Sequence, residues 1–440
     1  MKFSGGVSIG GEFTSNKNGR RRSNRMVMSL EKPWCMNRSL DKLIPSVLML
    51  SFIFGSRGAA QPAQTQPLVE GNTAFALELY SQLKSSPGNL FFSPYSISTA
   101  LAMTCAGARG NTEKQMGQVL HFANQHELNS AFKTLQSQLR EASKQKGIEL
   151  NSANALWAQR DHPFLPAFLN IAKGEYQANI NQADFHTGAE PARGELNRWV
   201  ARETKDKIHD ILPPGSVDSL TRLVLANAIY FKGAWAKPYE KSETSTQPFH
   251  ITGTRQVDVP LMHHLDGVRY MENAEFQAAE LPYEGGQLSM LVLLPRKVDG
   301  CGSLENGLNP KLLSDALSQM RKRHVEIFLP RFKLESSFDL NGALAKMGMP
   351  DALGAKADFS GMDGTRTLFI SGVFHKAWGE VNEEGTEAAA ATAVGIAASA
   401  VAVAPPPPPV FRADHPFIFL LRDTRSGSLL FIGRLANPGG

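Results

Sequence analysis

The run from Ala388 to Val410, AAAATAVGIAASAVAVAPPPPPV, carries no charged residue, and any fold for this chain has to place it. A membrane helix is disfavoured. Ala, Thr, Ser and Gly dominate the run, Leu and Phe are absent, and strongly apolar strand-like segments resume directly after it. Composition alone leaves open a low-complexity linker and an Ala-rich helix, but a plain linker does not explain why the first half alternates. Taken two residues at a time, Thr386, Ala388, Ala390, Thr392, Val394 and Ile396 form one face, every member small or apolar. Glu387, Ala389, Ala391, Ala393 and Gly395 form the other. Such a segment can be buried as a central strand, although its alanine content makes it a poor strand on its own. Pro405 to Pro409 then favour a stiff extended spacer of roughly 15 Å.

The rest of the chain is an ordinary globular sequence behind an unusual N-terminus. The net charge of +5 is misleading as a sign of nucleic-acid binding. Residues 1–60 hold ten Lys or Arg against three acids, which leaves residues 61–440 at −2, with no global electrostatic reason to bind phosphate backbones. From Met36 a short basic segment with Arg38 and Lys42 leads into an uncharged apolar run, Leu43 to Phe54, and then into small residues ending at Ala59 and Ala60. That order is expected of a secretory signal peptide spanning 36–60, with a mature chain beginning near Gln61 and destined for the extracellular space or periplasm. Residues 1–35 have no hydrophobic periodicity and are expected to be an over-extended or disordered N-terminus. Residues 61–67 are expected to be a linker. No composition shift divides the chain beyond Pro67, so a single domain over 68–438 is expected. Three cysteines exclude a disulfide scaffold, and pairing of Cys105 with Cys301 cannot be inferred from sequence.

Within that domain, apolar spacing predicts helices over 72–84, 95–107, 113–120, 127–145, 193–210 and 310–322. Strands are predicted at 223–231, 288–294, 325–329, 368–373, 417–421 and 428–435, the last two as a hairpin buried on both faces. Several apparent motifs carry no chemistry. Gly6, Ser8 and Gly10 spell G-x-S-x-G without the strand and helix that a nucleophile elbow needs. Adjacent His263 and His264 cannot face one metal from a strand, so surface or partly buried histidines are expected. No metal or cofactor is expected from the motifs present.

Longer segments carry a family resemblance. GEVNEEGTEAAAAT (Gly379 to Thr392) resembles the hinge of the serpin family, and FRADHPFIFLL (Phe411 to Leu421) resembles its C-terminal signature. NLFFSPYSISTALAM, LANAIYFKGAWAKPY, LPRFKLESSFDL and FIGRLANP are similar to further family segments, in the expected order across 68–438. The resemblance implies an α+β fold of three β-sheets and about nine helices, with an exposed reactive-centre loop at about 383–410. It further implies a non-enzymatic, suicide inhibitor of serine proteases. The protease cuts the loop, forms an acyl-enzyme, and is trapped as the severed loop enters the main sheet. A new strand of about 14 residues, at roughly 1 kcal/mol net per hydrogen bond, supplies on the order of 10 kcal/mol.

By the same resemblance Ser93, Ser96, Asn227 and His375 form the polar cluster where the main sheet opens. Trp235, Arg331 and Glu383 mark where insertion begins, with Arg331 standing where Lys is usual. Glu383, Gly385, Thr386, Glu387, Ala388, Ala389, Ala390 and Ala391 form the hinge. Counting from Glu383 in the family register places the scissile bond between Ser399 and Ala400, with Ala398, Val401 and Ala402 as neighbouring alternatives because the loop is lengthened. The bait residues are small, which suits an elastase-like or subtilisin-like protease held in a covalent complex with a monomeric inhibitor. Two rival readings stay open: a non-inhibitory carrier or chaperone on the same fold, and a surface structural protein using the Ala/Pro stretch as a stalk.

Overall fold

Two β-sheets and the helices packed on them make up this computed structural model, which describes residues 65–122, 125–386 and 406–439. The site lies on a six-stranded sheet. Its five long members run side by side as β10 (Phe332–Asp339), β11 (Gly372–Val381), β4 (Leu223–Ala234), β2 (Ile148–Gln159) and β3 (Asn179–Ala183). The sixth, β12 (Gly385–Thr386), is a two-residue strand against the end of β4. β4 is apolar almost throughout because both of its faces are covered. Leu225, Ile229 and Phe231 join the main core, while Val224, Ala226, Ala228 and Tyr230 join a second cluster with Trp157, Leu196, Trp199 and Trp378. That second cluster lies beneath the Phe185–Glu203 helix, which contributes Leu196, Trp199 and Val200.

The other sheet orders β1 (Leu90–Phe92), β15 (Leu429–Leu435), β14 (Phe417–Asp423), β8 (Leu288–Pro295), β7 (Phe276–Pro282), β6 (Arg255–Glu272), β9 (Arg321–Pro330) and β13 (Val410–Arg412). Off this path β5 (Ser245–Thr252) also pairs with β6. The long β6 holds β5 along Arg255–Leu261, β9 along Leu261–Tyr270 and β7 along Arg269–Glu272, so the nine strands form two leaves that share β6. With these leaves counted separately, the α+β architecture has the three expected sheets. Ten α-helices lie among the described residues. The Pro94–Cys105 helix is buried along its whole length; Pro94 fixes its first turn and Ser93 caps it, Oγ accepting from the Ser96 amide at 3.1 Å.

The predicted hairpin is present, with β14 and β15 paired antiparallel from Phe417↔Leu435 onward. Some predicted elements are displaced: the helix expected from 72 already begins at Gln66, inside the expected 61–67 linker. The strand expected at 368–373 begins only at Gly372, because Leu368 and Ile370 are buried on the approach to the sheet, with the Ile370 amide donating to Ala352 O instead of to a neighbouring strand. The helix expected to reach 210 stops at Glu203. Lys205, Asp206 and Asp210 all adopt positive φ, between 49° and 59°, which no right-handed helix accommodates.

Candidate functional site

β4 and β11 run parallel, paired from Val224↔Gly372 to Tyr230↔Trp378, and there the pairing ends. Above that rung the chain leaves β11, turns through Asn382–Glu384, and returns as β12 in the opposite direction, with Gly385 opposite Ala234 and Thr386 opposite Gly233. An antiparallel strand has therefore begun at the mouth of a parallel seam. Gly385 is required here. Its φ is +137°, and a Cβ would overlap Gly233 O and come within 2.6 Å of Ala234 Cα and 2.7 Å of Trp235 N.

The turn below this strand is held from three sides. Arg331 Nε donates to both carboxylate oxygens of Glu383, at 2.7 and 2.8 Å, and Nη2 adds a third bond to Oε1. Thr244 Oγ1 donates to the same carboxylate at 2.7 Å. Burial pushes the Glu383 carboxyl upward, but the Arg331 and Thr244 hydrogen bonds outweigh it and hold the group below the usual carboxylate range. Trp235 stacks on Tyr283 with centroids 4.6 Å apart, its indole Nε1 donating to Asn382 O at 3.0 Å and its amide to Glu384 O at 3.0 Å. The Tyr239 amide donates to Glu383 O at 2.8 Å, and Lys241 Nζ pairs with Glu384 at 2.8 Å. Arginine in place of lysine at 331 exploits its planar fork, since one ammonium could not engage both oxygens side-on.

The second expected cluster is also assembled. His375 is fully buried on β11, one nitrogen accepting from the Ser93 amide at 3.0 Å and the other bonded to Asn227 Oδ1 on β4. Asn227 Nδ2 donates to Ser96 Oγ at 2.6 Å, and Ser93 Oγ donates to Leu430 O at 2.6 Å. Burial lowers His375 to about 3, so the imidazole is neutral at physiological pH. The network thus ties the buried helix to both sides of the β4–β11 seam.

Sequence reasoning missed part of this network. Asn154 Oδ1 accepts from Ser96 Oγ at 3.0 Å and from Asn227, while Ser152 Oγ lies 3.1 Å from Ser96 Oγ; both residues belong to β2. The available signal was their spacing of two, which puts them on one face of a strand. Thr244, Lys241 and Glu384 at the turn were likewise not anticipated. Of the hinge, Glu383, Gly385 and Thr386 are in place. Glu387 and Ala388 to Ala391, the bonds around Ser399 and Ala400 with the alternatives Ala398, Val401 and Ala402, and the expected signal peptide lie outside the described residues. On the far side of the loop, Pro409 O accepts from the Glu326 amide at 2.9 Å, and Val410–Arg412 continues as β13.

His263 and His264 occupy opposite faces of β6, as expected. His263 lies 3.2 Å from Glu243 and from Glu326, whereas buried His264 stacks on Tyr239. Cys105 and Cys301 are both free and buried. Among the described residues there is no cluster of three or more potential metal ligands, and no helix is long and apolar enough to cross a membrane.

The sequence model of one protein family, described as Serpin (serine protease inhibitor), matches residues 70–438. A leukocyte elastase inhibitor from Sus scrofa is 42% identical over 383 residues, covering 85% of this chain and 100% of its own length. Among solved structures, Serpin48, a highly specific serpin of the insect Tenebrio molitor, aligns with a TM-score of 0.76 at 31% identity, covering 86% of this chain and all of the other. Human thyroxine-binding globulin complexed with thyroxine has the same score, identity and coverage.

Proposed function

Because the chain belongs to the serpin family of serine protease inhibitors, we propose that it is a secreted suicide inhibitor of proteases that prefer small residues. The observation that carries this reading is the short strand β12, already paired antiparallel with β4 where β4 and β11 part. Extended in the same register, Glu387 falls opposite Lys232 and Ile396 opposite Leu223. Thr392 then falls opposite Asn227, so Thr386, Ala388, Ala390, Thr392, Val394 and Ile396 share the core-facing side of Leu225, Asn227 and Ile229. The face made of alanines, glycine and Glu387 meets the side of Tyr230 and Trp378. Apart from Glu387 at its outer end, the incoming segment would present small or apolar side chains to both layers.

The protease serine attacks the Ser399 carbonyl carbon and forms an ester as the peptide bond to Ala400 breaks, the Ala400 nitrogen leaving as an amine that takes up the proton. The freed segment then inserts and carries the ester-linked protease along the sheet before water can cleave the ester. The inhibitor is in this sense a substrate that stalls, not an enzyme. No Arg, Lys, Phe, Tyr, Trp, Leu or Met occurs between Ala388 and Val410, so trypsin-like and chymotrypsin-like pockets find no anchor there. The family likeness to elastase inhibitors agrees with that preference. Export rests on the order of segments after Met36.

Denaturing electrophoresis of the purified protein with elastase-, subtilisin-, trypsin- and chymotrypsin-like proteases tests the proposal. A stable complex with the first or second, and a released fragment beginning at Ala400, is expected. Cleavage without any covalent complex would favour the carrier reading, which the likeness to a thyroxine-binding globulin keeps in view. N-terminal sequencing of the exported protein is expected to begin near Gln61, and retention of Phe54 would refute export by this signal.

A further inference from the structure

The last rung of the β4–β11 seam differs from those below it. Its two residues, Tyr230 and Trp378, point to the outer face and pack against each other with ring centroids 5.4 Å apart. Lys207 Nζ sits 4.9 Å from the Trp378 ring centroid and 5.7 Å from that of Tyr230, and Lys333 Nζ lies 5.1 Å from Trp378. Lys333 belongs to β10, and Lys207 to the segment after the Phe185–Glu203 helix, so two separate pieces of chain converge on one aromatic pair. The backbone that presents Lys207 is constrained. Lys205 and Asp206 both hold positive φ, 53° and 59°, a conformation that non-glycine residues seldom adopt consecutively. Thr204 bonds across the same turn, its hydroxyl accepting from the Ile208 amide at 3.2 Å.

We propose that Tyr230, Trp378, Lys207 and Lys333 form a clasp that sets the rate at which the seam admits a new strand. The inference rests on the insertion reading and adds to it which contact yields first. A strand continuing from Thr386 in the present register reaches this rung with its third residue. Neighbouring strands lie about 4.8 Å apart, so a strand placed between β4 and β11 doubles their separation to about 9.6 Å and ends the ring contact. Lys207 bridges both rings and cannot keep both once they part, so each insertion event breaks a cation–π contact. Those contacts favour the closed sheet and raise the barrier to opening. Four positioning residues, none in the hinge or in the buried histidine cluster, therefore govern the timing of insertion.

The test uses the full chain and a synthetic peptide with the sequence of residues 386–399, whose annealing into the sheet is followed by the gain in thermal stability and by Trp emission. Lys207→Met keeps the aliphatic stem and removes the charge. It is expected to anneal peptide roughly three- to thirty-fold faster than the parent protein, the rate equivalent of one cation–π contact. Lys207→Arg is expected to restore the slow rate, which a merely structural role for the stem would not require. Trp378→Phe is expected to abolish most of the emission change while annealing proceeds. Annealing by the parent protein with no acceleration in Lys207→Met overturns the clasp and leaves the insertion reading intact. Failure of both proteins to anneal peptide, with no gain in thermal stability after loop cleavage, overturns the insertion reading and the clasp with it.

Discussion

Replacing Gly385 with Ala adds one methyl group at the mouth of the seam, against the backbone of β4. Two costs compete. Kept where it is, the residue would hold a φ of +137°, at about 1–3 kcal/mol, and its Cβ would collide with the backbone of Gly233 and Ala234, which cannot move aside as a flexible side chain could. Withdrawn from the seam, β12 would give up its two described rungs, Gly385↔Ala234 and Thr386↔Gly233, at about 1 kcal/mol per hydrogen bond. Withdrawal is the cheaper outcome and caps the effect near 2 kcal/mol, a factor of about 30 in how often the strand is seated. Native stability should fall by no more than this amount. Insertion should slow by about the same factor, so that the acyl-enzyme hydrolyses before it is trapped. The assay is the stoichiometry of inhibition against an elastase-like protease, with Gly354→Ala as control, since φ there is −158° and a Cβ meets nothing within 4 Å. A Gly385→Ala protein that traps protease mole for mole like the parent would refute the argument that the loop enters through this point.

Thr386→Arg would carry a charge into the sheet interior at a cost of several kcal/mol unless paired, and it should convert inhibitor to substrate, visible as cleaved protein without complex on a denaturing gel. Glu383→Gln removes the charge that Arg331 and Thr244 bind. Because Arg331 is partly exposed, the expected loss is about 1–2 kcal/mol, read as a lower urea midpoint near pH 7 that converges on the parent's as pH falls below the usual carboxylate range and the carboxylate itself protonates. His375 supplies a pH dependence of its own. An unfolded histidine binds a proton below about pH 6.5, whereas burial holds His375 neutral down to about 3. The unfolded state therefore takes up more protons as pH falls between these values, and native stability declines across that window. His264, lowered to about 4 by burial, acts in the same direction. His375→Gln should flatten the urea-midpoint profile between pH 6.5 and 5, and an unchanged slope would rule this source out.

The parts of the fold that were legible in sequence are those whose burial is uniform. β4, β8, β14 and β15 are covered on both faces and read as nearly continuous apolar runs. β2 was not predicted, because Asn151, Ser152 and Asn154 interrupt its apolar pattern. Two of those side chains are polar for a reason that only the tertiary structure supplies, namely their bonds to Ser96 and Asn227. β11 was misplaced for a related reason, since His375 and Lys376 dilute a strand that is otherwise well buried. The hinge and the Arg331–Glu383 pair were legible only through likeness to a family. Nothing in the spacing of residues 331 and 383 announces an ion pair across 52 positions. Thr244 and Lys241 escaped even that likeness, because each binds through a single side chain from a short irregular segment between two strands.

The parallel β4–β11 seam has a consequence for how this protein's stability should be measured. A strand placed there would exchange one parallel ladder for two antiparallel ones, with more backbone hydrogen bonds than the two described β12 rungs and the parallel ladder supply. Under the proposed insertion, the active arrangement is held by a barrier rather than by depth, and its lifetime, not its equilibrium free energy, is the quantity to measure. Melting temperatures should move with scan rate, and a sample that has aged or been warmed should appear sturdier in a thermal scan while having lost its capacity to act.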